Sequence, residues 1–401
     1  MATPVADPPT LDSLPQEIFE MAADNLCCED LGHLRATNYN MLAKTKRTFI
    51  AHTFQTIGFN LNDEEGLQEA ITIAKTREFG TAIRKLCLYT DELNLASHYS
   101  TRAFNGGKSL QDKQQEFRVS KRPYLLLTAL FSTLRRDCNI DSVFLVDTSN
   151  ADYGPKPVLG STYRKHQKMT KQFFRDSSHP EDNTYILLEA LSLSGIQLQG
   201  LYLVDSQYCM AKLIGAGDYH LRNFEMVLQS VRHLGLSIRL EPPFTFESNG
   251  SDRVNPSVSM AVGVISRAPY LQTIHLIDGP TKDVERTLPT DLFARTLLSA
   301  RLMPSLRRLI LDDGRMEAQD LVQMVAKQPS LEKLHLANFE MWNTRGTLSA
   351  EKTVRESLQQ ITGLGSVIVC EDTEAKFAWE NAKKEDEENQ DEEMGDAEDE
   401  E

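Results

Sequence analysis

The sequence has no run of about 18 consecutive apolar residues, so it offers no segment that would cross a membrane as a helix. Its first ten residues, MATPVADPPT, lack the basic start and the apolar stretch of a secretory signal. Cysteine is scarce: the six cysteines contain no C-x-x-C pair, and all except Cys27 and Cys28 are widely scattered. We therefore expect reduced thiols and an intracellular protein, cytoplasmic or nuclear.

The motifs of common enzymes are missing as well. There is no H-E-x-x-H pair and no G-x-S-x-G turn. The stretch FNGGKSL (104–110) ends like a phosphate-binding loop, but Arg102 occupies the position of the first glycine. The sequence therefore predicts a protein that is not an enzyme and that holds no cofactor or metal.

Acidic residues outnumber basic ones, and nearly all of this excess lies at the C-terminal end of the sequence. The net charge is −15, and residues 371–401 account for −13 of it with 16 acidic residues and three lysines. This tail has too little apolar surface to offset its ordering entropy, so we predict that it is disordered, as are residues 1–10. Residues 1–370 carry only −2, and such a nearly neutral body argues against nucleic acid as the main ligand.

A short apolar pattern recurs along the body of the chain. APYLQTIHL (268–276), MPSLRRLIL (303–311) and QPSLEKLHL (328–336) share a proline followed by L-x-x-[LI]-x-L. With any apolar residue at the fixed positions, the pattern has eight copies, which begin at Ile83, Ile140, Leu198, Val231, Leu271, Leu306, Leu331 and Leu364. Helical patterns precede most copies, and the prolines end those helices. Each copy therefore predicts a short strand, and the second and third apolar residues of the copy point to the same side of the sheet.

This arrangement resembles irregular leucine-rich repeats. The resemblance implies an α/β fold in which residues 58–370 form a solenoid of parallel strands with helices on the convex side. The polar insertions at 91–122, 147–182 and 241–257 are expected on one rim, where a partner is selected.

The N-terminal segment 11–57 reads as a separate helical unit. Ser13 and Gln16 have the spacing of a capping box, Ile18 and Ala22 begin an apolar stripe, and Glu29 with Asp30 suits the start of a second helix. Three helices in about 45 residues lie near the lower limit for an independent core. Either the unit caps the solenoid or it binds another protein, and spacing does not choose between the two.

The residues Leu14-Pro15-x-Glu17-Ile18-Phe19, with Asp30-Leu31 and Leu34-Arg35 downstream, resemble the F-box motif. An F-box followed by irregular leucine-rich repeats is similar to the fungal F-box family. That resemblance implies docking on the Skp-type adaptor of a cullin–RING ubiquitin ligase. The implied contact residues are Leu14, Pro15, Ile18, Phe19, Leu26, Leu31 and Leu34. The sequence departs from the motif at Ala22, where a larger aliphatic residue is usual.

One basic stretch is a candidate for binding a target protein. STYRKHQKMTKQFFR (161–175) contains Arg164, Lys165, Lys168, Lys171 and Arg175. Clusters of this kind receive acidic or phosphorylated motifs. A solvated loop, or a loop that contacts the acidic tail, explains the same residues.

The sequence thus predicts the substrate-recognition subunit of an SCF-type ubiquitin ligase, with the helical unit on the adaptor and the repeats on an unknown protein target. The alternative is a leucine-rich-repeat scaffold whose N-terminal helices only cap the solenoid.

Overall fold

The computed structural model of the chain describes most of residues 11–370. The described ranges are 11–90, 92–93, 110–137, 140–146, 159, 174–175, 180–204, 218–237, 256–277, 294, 297, 303–312, 315–337, 339–342, 358 and 364–370. The two segments predicted to be disordered, 1–10 and 371–401, lie outside these ranges.

The N-terminal part is helical. A 3-10 turn at Leu11–Ser13 leads into α1 (Gln16–Ala23), α2 (Cys28–Thr37), α3 (Tyr39–Lys44) and α4 (Lys46–Phe54). Strand β1 (Thr56–Asn60) follows after a single residue, so α4 connects directly to the sheet.

Strands and helices then alternate. The helices are α5 (Glu64–Lys75), α6 (Arg77–Gly80), α7 (Leu110–Val119), α8 (Arg122–Asp137), α9 (Pro180–Ser194), α10 (Asp218–Leu228), α11 (Pro256–Ile265) and α12 (Ala318–Ala326). The strands of the main sheet after β1 are β2 (Lys85–Tyr89), β4 (Ser142–Val146), β6 (Gly200–Val204), β7 (His233–Ser237), β8 (Thr273–Ile277), β9 (Arg308–Asp312), β11 (Lys333–Ala337) and β13 (Ser366–Cys370). Four shorter strands form two separate pairs: β3 (Glu92–Leu93) with β5 (Phe174–Arg175), and β10 (Arg315–Glu317) with β12 (Glu340–Trp342).

Within the described ranges, nine strands form one sheet whose order follows the order of the chain. Every neighbouring pair is parallel. The predicted α/β class with parallel strands is therefore confirmed, and the strand order is that of a solenoid in which each unit covers the next.

The eight motif copies coincide with eight of these strands. Each strand begins two residues after the first position of its copy, as at Ile83 before Lys85 and at Leu364 before Ser366. In the first seven copies the second and third apolar residues lie in one continuous core, and Leu86 and Leu88 are fully buried there. Alternation along a strand places both on the side that the helices cover.

A repeated backbone contact holds neighbouring units in register. The carbonyl of Arg84, the second residue of its copy, accepts hydrogen bonds from Asp141 N (2.7 Å) and Ser142 N (3.2 Å). The same double acceptance recurs from Gln55 at β1 to Glu332 at β11. These residues therefore form a row along the edge where the strands begin.

Strand β1 is a ninth copy that the sequence analysis missed. Phe54, Ile57 and Phe59 have the spacing of the motif. Phe54 is also the last residue of α4, so the helical pattern conceals the start of the strand. Leu159 covers the free side of β1, since its amide donates to Gly58 O at 2.7 Å.

The sheet face away from the main core differs along its length. From β2 to β6 it carries buried apolar side chains, and the rings of Phe144 and Tyr202 stack with their centroids 4.4 Å apart. Towards β8–β11 the same face also carries the buried polar residues His275, Asp312 and His335, beside Ile277 and Ile310. Burial and the neighbouring His275 lower the pKa of His335, so this imidazole resists protonation.

Asp63, the N-cap of α5, makes the stability of this region depend on pH. Its Oδ1 accepts from Glu65 N at 3.2 Å, while the buried Oδ2 has no hydrogen-bond partner among the described residues. Burial is the main reason that its pKa rises from 3.8 to about 6. Because the folded state holds this proton more tightly than the unfolded state, the contribution of Asp63 to stability falls as the pH rises from about 4 to about 6.

We therefore expect Asp63→Asn to raise the free energy of unfolding by about 1–2 kcal/mol at pH 7.5 and by nothing at pH 3.5. Asparagine caps a helix as well as aspartate does, so the cap itself is kept. Urea unfolding of both proteins at the two pH values measures the difference, and other titrating groups cancel between them. An equal gain at both pH values would contradict this explanation.

Candidate docking surface of the N-terminal helices

Helices α1–α4 enclose a small apolar core of their own. Phe19, Ala23, Leu31 and Met41 are buried together, and this group is separate from the core beneath the sheet. Leu14, Leu26, Leu34 and Phe49 pack against it while partly exposed. We call residues 11–54 the helical cluster.

The start of helix α1 differs from the sequence prediction, whereas the start of helix α2 agrees with it. Helix α1 begins at Gln16 with Pro15 as its N-cap, and no side chain caps it, so the predicted capping box of Ser13 and Gln16 does not form. A helix capped by Ser13 would start two residues earlier and place Pro15 within its first turn, whereas here Pro15 lies at the boundary. Helix α2 starts where expected, and Cys27 caps it by accepting from Asp30 N at 3.4 Å.

Polar contacts hold α1 against α3. Gln16 Nε2 donates to Lys44 O at 2.9 Å, and Lys44 Nζ donates to Leu14 O at 2.7 Å. The same ammonium group lies 5.7 Å from the centre of the Phe19 ring. These contacts fix which side of α1 faces inward.

The third predicted helix is divided into α3 and α4 at Thr45. This buried residue donates from Oγ1 to Met41 O at 2.6 Å, which closes the end of α3. Arg35 on α2 donates to Thr45 Oγ1 at 3.3 Å, and its guanidinium lies 4.1 Å from the centre of the Phe49 ring. Arg35 therefore joins α2 to both helices.

The seven residues implied as adaptor contacts are divided between the interior and the surface of the helical cluster. Phe19 and Leu31 are 1% and 0% exposed, so their side chains form the interior and offer no surface to a partner. Leu14, Leu26 and Leu34 are partly exposed. Pro15 and Ile18 are exposed, Ile18 by 50%.

Helix α1 is apolar on both sides. Phe19 and Ala23 point into the core, whereas Ile18, Met21 and Ala22 are exposed, Met21 by 67%. Pro15, Ile18, Met21 and Ala22 recur at intervals of three or four residues and so share one side, which we call the α1 outer face. Met21 is absent from the sequence prediction, although its spacing from Ile18 indicates it. Exposed apolar side chains grouped on one side of a helix are typical of a surface that binds another protein.

The helical cluster contacts the sheet region through α4. The rings of Phe54 on α4 and Phe79 on α6 stack at 4.5 Å, and Lys46 Nζ lies 2.9 Å from Glu78 Oε2. The described contacts therefore attach the cluster by its last helix, and the α1 outer face stays in contact with solvent.

The basic stretch proposed for target binding lies largely outside the described residues. Arg164, Lys165, Lys168 and Lys171 are in that part. Arg175 belongs to β5, where it is paired in register with Glu92 of β3 in an antiparallel ladder.

The described residues offer little for catalysis. Burial raises the pKa of the Cys87 thiol to about 12, so it stays protonated and is a poor nucleophile. In the described ranges, no three His, Cys, Asp or Glu side chains are arranged to hold a metal ion. Among the helices that the structure describes, none combines the length and the apolar character needed to cross a bilayer.

A comparison with models of known protein families found no match, and no curated protein matches the chain either. Its function therefore has to be inferred from the residues and their geometry.

Proposed function

We propose that this protein is the substrate-recognition subunit of an SCF-type ubiquitin ligase. In this proposal the helical cluster is an F-box that binds a Skp-type adaptor, and the strand–helix units are irregular leucine-rich repeats that hold a protein target. The ligase catalyses transfer elsewhere in the complex, and this chain raises the local concentration of the target near the loaded ubiquitin carrier.

The observation that carries the proposal is the α1 outer face. Ile18 and Met21 expose half or more of their side chains beside the exposed Pro15. The F-box-like motif that the sequence analysis identified includes Pro15 and Ile18 of this face. Covering the exposed parts of these two side chains contributes about 2–4 kcal/mol before the costs of association are subtracted.

The burial of Phe19 and Leu31 supports a narrower contact than the motif implies. These two residues build the interior that presents the outer face, while Pro15, Ile18 and the partly exposed Leu14, Leu26 and Leu34 remain for the adaptor. Met21 joins them as an additional contact.

The direct test measures binding of a purified Skp-type adaptor to the full chain and to Ile18→Asp. A carboxylate buried in an apolar interface without a partner is strongly unfavourable, so we expect at least about a tenfold loss of affinity. Because Ile18 is half exposed in the free protein, the thermal unfolding midpoint should change little.

Leu125→Asp is the matched control, since Leu125 on α8 is 59% exposed and lies outside the helical cluster. It should bind the adaptor like the wild type. The proposal fails if the wild-type chain does not bind the adaptor, or if Ile18→Asp binds it with unchanged affinity.

A scaffold in which the helical cluster only caps the first unit is the second candidate. The stacking of Phe54 on Phe79 favours it, because this contact covers the start of the sheet region whether or not an adaptor exists. It predicts no adaptor binding by the wild-type chain.

A further inference from the structure

The edge of the sheet where the strands begin is rich in basic residues. Two rows of residues lie side by side there. One row consists of the residues whose backbone carbonyls accept hydrogen bonds from the next unit, and the other consists of the first residue of each strand. Their basic members are Arg84, Lys85, Arg232, His233, Arg307, Arg308 and Lys333, which we call the basic edge. The acidic members among the described residues of these rows are Asp141 and Glu332.

The parallel register places these side chains at regular intervals. Lys333 is paired with Arg308 on the neighbouring strand, and His233 lies two strands further along. Neighbouring strands are about 4.8 Å apart, so the basic edge extends for about 29 Å from β2 to β11. With histidine neutral, the two rows carry a net charge of +4, although residues 1–370 as a whole carry −2.

Several side chains of the basic edge reach solvent. Arg232 and Arg307 are exposed, and Arg84, Lys85 and Lys333 are partly exposed. Arg307 Nε lies 3.8 Å from Glu332 Oε1, and both side chains are well exposed, so this pair is screened by water. Arg232 and Arg307 are thus the members of the basic edge whose side chains are most open to an acidic chain.

The acidic tail is continuous with the same sheet. Residue 371 follows directly on β13, the last strand, and residues 371–401 carry −13. Returning along β13 to the basic edge takes about 17 Å, and Lys85 lies seven strands away, about 34 Å. A tail of 31 residues spans up to about 100 Å when extended, so it reaches the whole edge.

We propose that the basic edge binds the acidic tail of the same chain. Tethering supplies an effective concentration of about millimolar, so weak, salt-sensitive contacts are enough. An acidic segment of another protein then has to displace the tail before it reaches these residues. This proposal does not depend on a ligase function.

The test uses the full chain and a carbodiimide that joins a lysine amine to a touching carboxylate without a spacer. Mass spectrometry of the monomer band should find links from Lys85 and Lys333 to carboxylates of residues 371–401. Raising NaCl from about 20 mM to about 500 mM shortens the Debye length from about 20 Å to about 4 Å, so the yield should fall at least about threefold.

Lys121 is the internal control. It is exposed and immediately precedes α8, whose 16 residues are about 24 Å long. Because α8 leads into β4 at its other end, Lys121 lies far from the basic edge. It should link to the tail much less often than Lys333.

The double variant Arg232→Gln, Arg307→Gln lowers the positive charge without removing a buried group. We expect at least a halving of the links from Lys85 and Lys333 and an unchanged thermal midpoint. The proposal is overturned by an absence of tail links from both lysines, by equal linking of Lys121, by links found only between copies, or by no response to the double variant.

Discussion

Phe19→Ala is expected to unfold helices α1–α4 while the parallel sheet stays folded. Phe19 is 1% exposed and is the largest side chain of the small core formed with Ala23, Leu31 and Met41. Removing a buried phenylalanine costs about 3–5 kcal/mol, which is a large part of what a core of this size supplies. The sheet has a separate core and should not depend on Phe19.

Hydrogen exchange read by mass spectrometry distinguishes the two regions. Amides of residues 16–54 should lose at least about a hundredfold in protection, while those of β4–β9 keep it. Ile18→Ala is the matched control on the same helix, because its side chain is half exposed and its removal leaves the core intact.

Loss of protection in the sheet together with the helical cluster would contradict this prediction. That outcome would mean that the cluster and the solenoid fold as one unit, as a structural cap requires. The same experiment therefore bears on the scaffold alternative without using an adaptor.

Gly235→Ala is expected to destabilise the sheet by about 1–3 kcal/mol. The Tyr202 ring lies across Gly235 on the neighbouring strand, and a Cβ atom there would overlap with Tyr202 Cδ1. The ring does not move freely, because it stacks on Phe144 with the planes 7° apart. Chemical denaturation of the full chain measures the loss.

Gly263→Ala provides the opposite case in the same protein. Among the described residues, a Cβ at Gly263, within α11, meets only Arg267 Nη1, at 3.7 Å, and alanine favours a helix by up to about 1 kcal/mol. Stability should therefore rise or stay unchanged.

In a Tyr202→Ala background, Gly235→Ala should cost little, because the overlapping ring is gone. An equal loss with and without the Tyr202 ring would contradict the packing explanation.

Much of the sheet was predictable because its signal is local. In the copies at Leu306 and Leu331, three apolar residues within six positions fix which side chains face the core, and the preceding proline ends the helix. The strands begin where these copies predict. Strand β1 was not predictable in the same way, since Phe54 serves both the helix before it and the motif.

The helical cluster was less predictable because both sides of α1 are apolar. Periodicity does not separate Ile18 from Phe19, and the F-box resemblance implied both as partner contacts. The packing of Phe19 with Leu31 and Met41, which come from other helices, decides that it faces inward, and the contacts of Lys44 support this.

The sequence by itself determined the α/β class, the positions of eight parallel strands and the concentration of acidic residues in the tail. Each depends on residues within a few positions of one another, where alternation and composition act directly. The tertiary structure alone decided which side of α1 is free, that Tyr202 covers Gly235, and that basic residues from separate copies adjoin along one edge. Residues far apart in the chain become neighbours only when the units stack, and no local pattern records which of their side chains then meet.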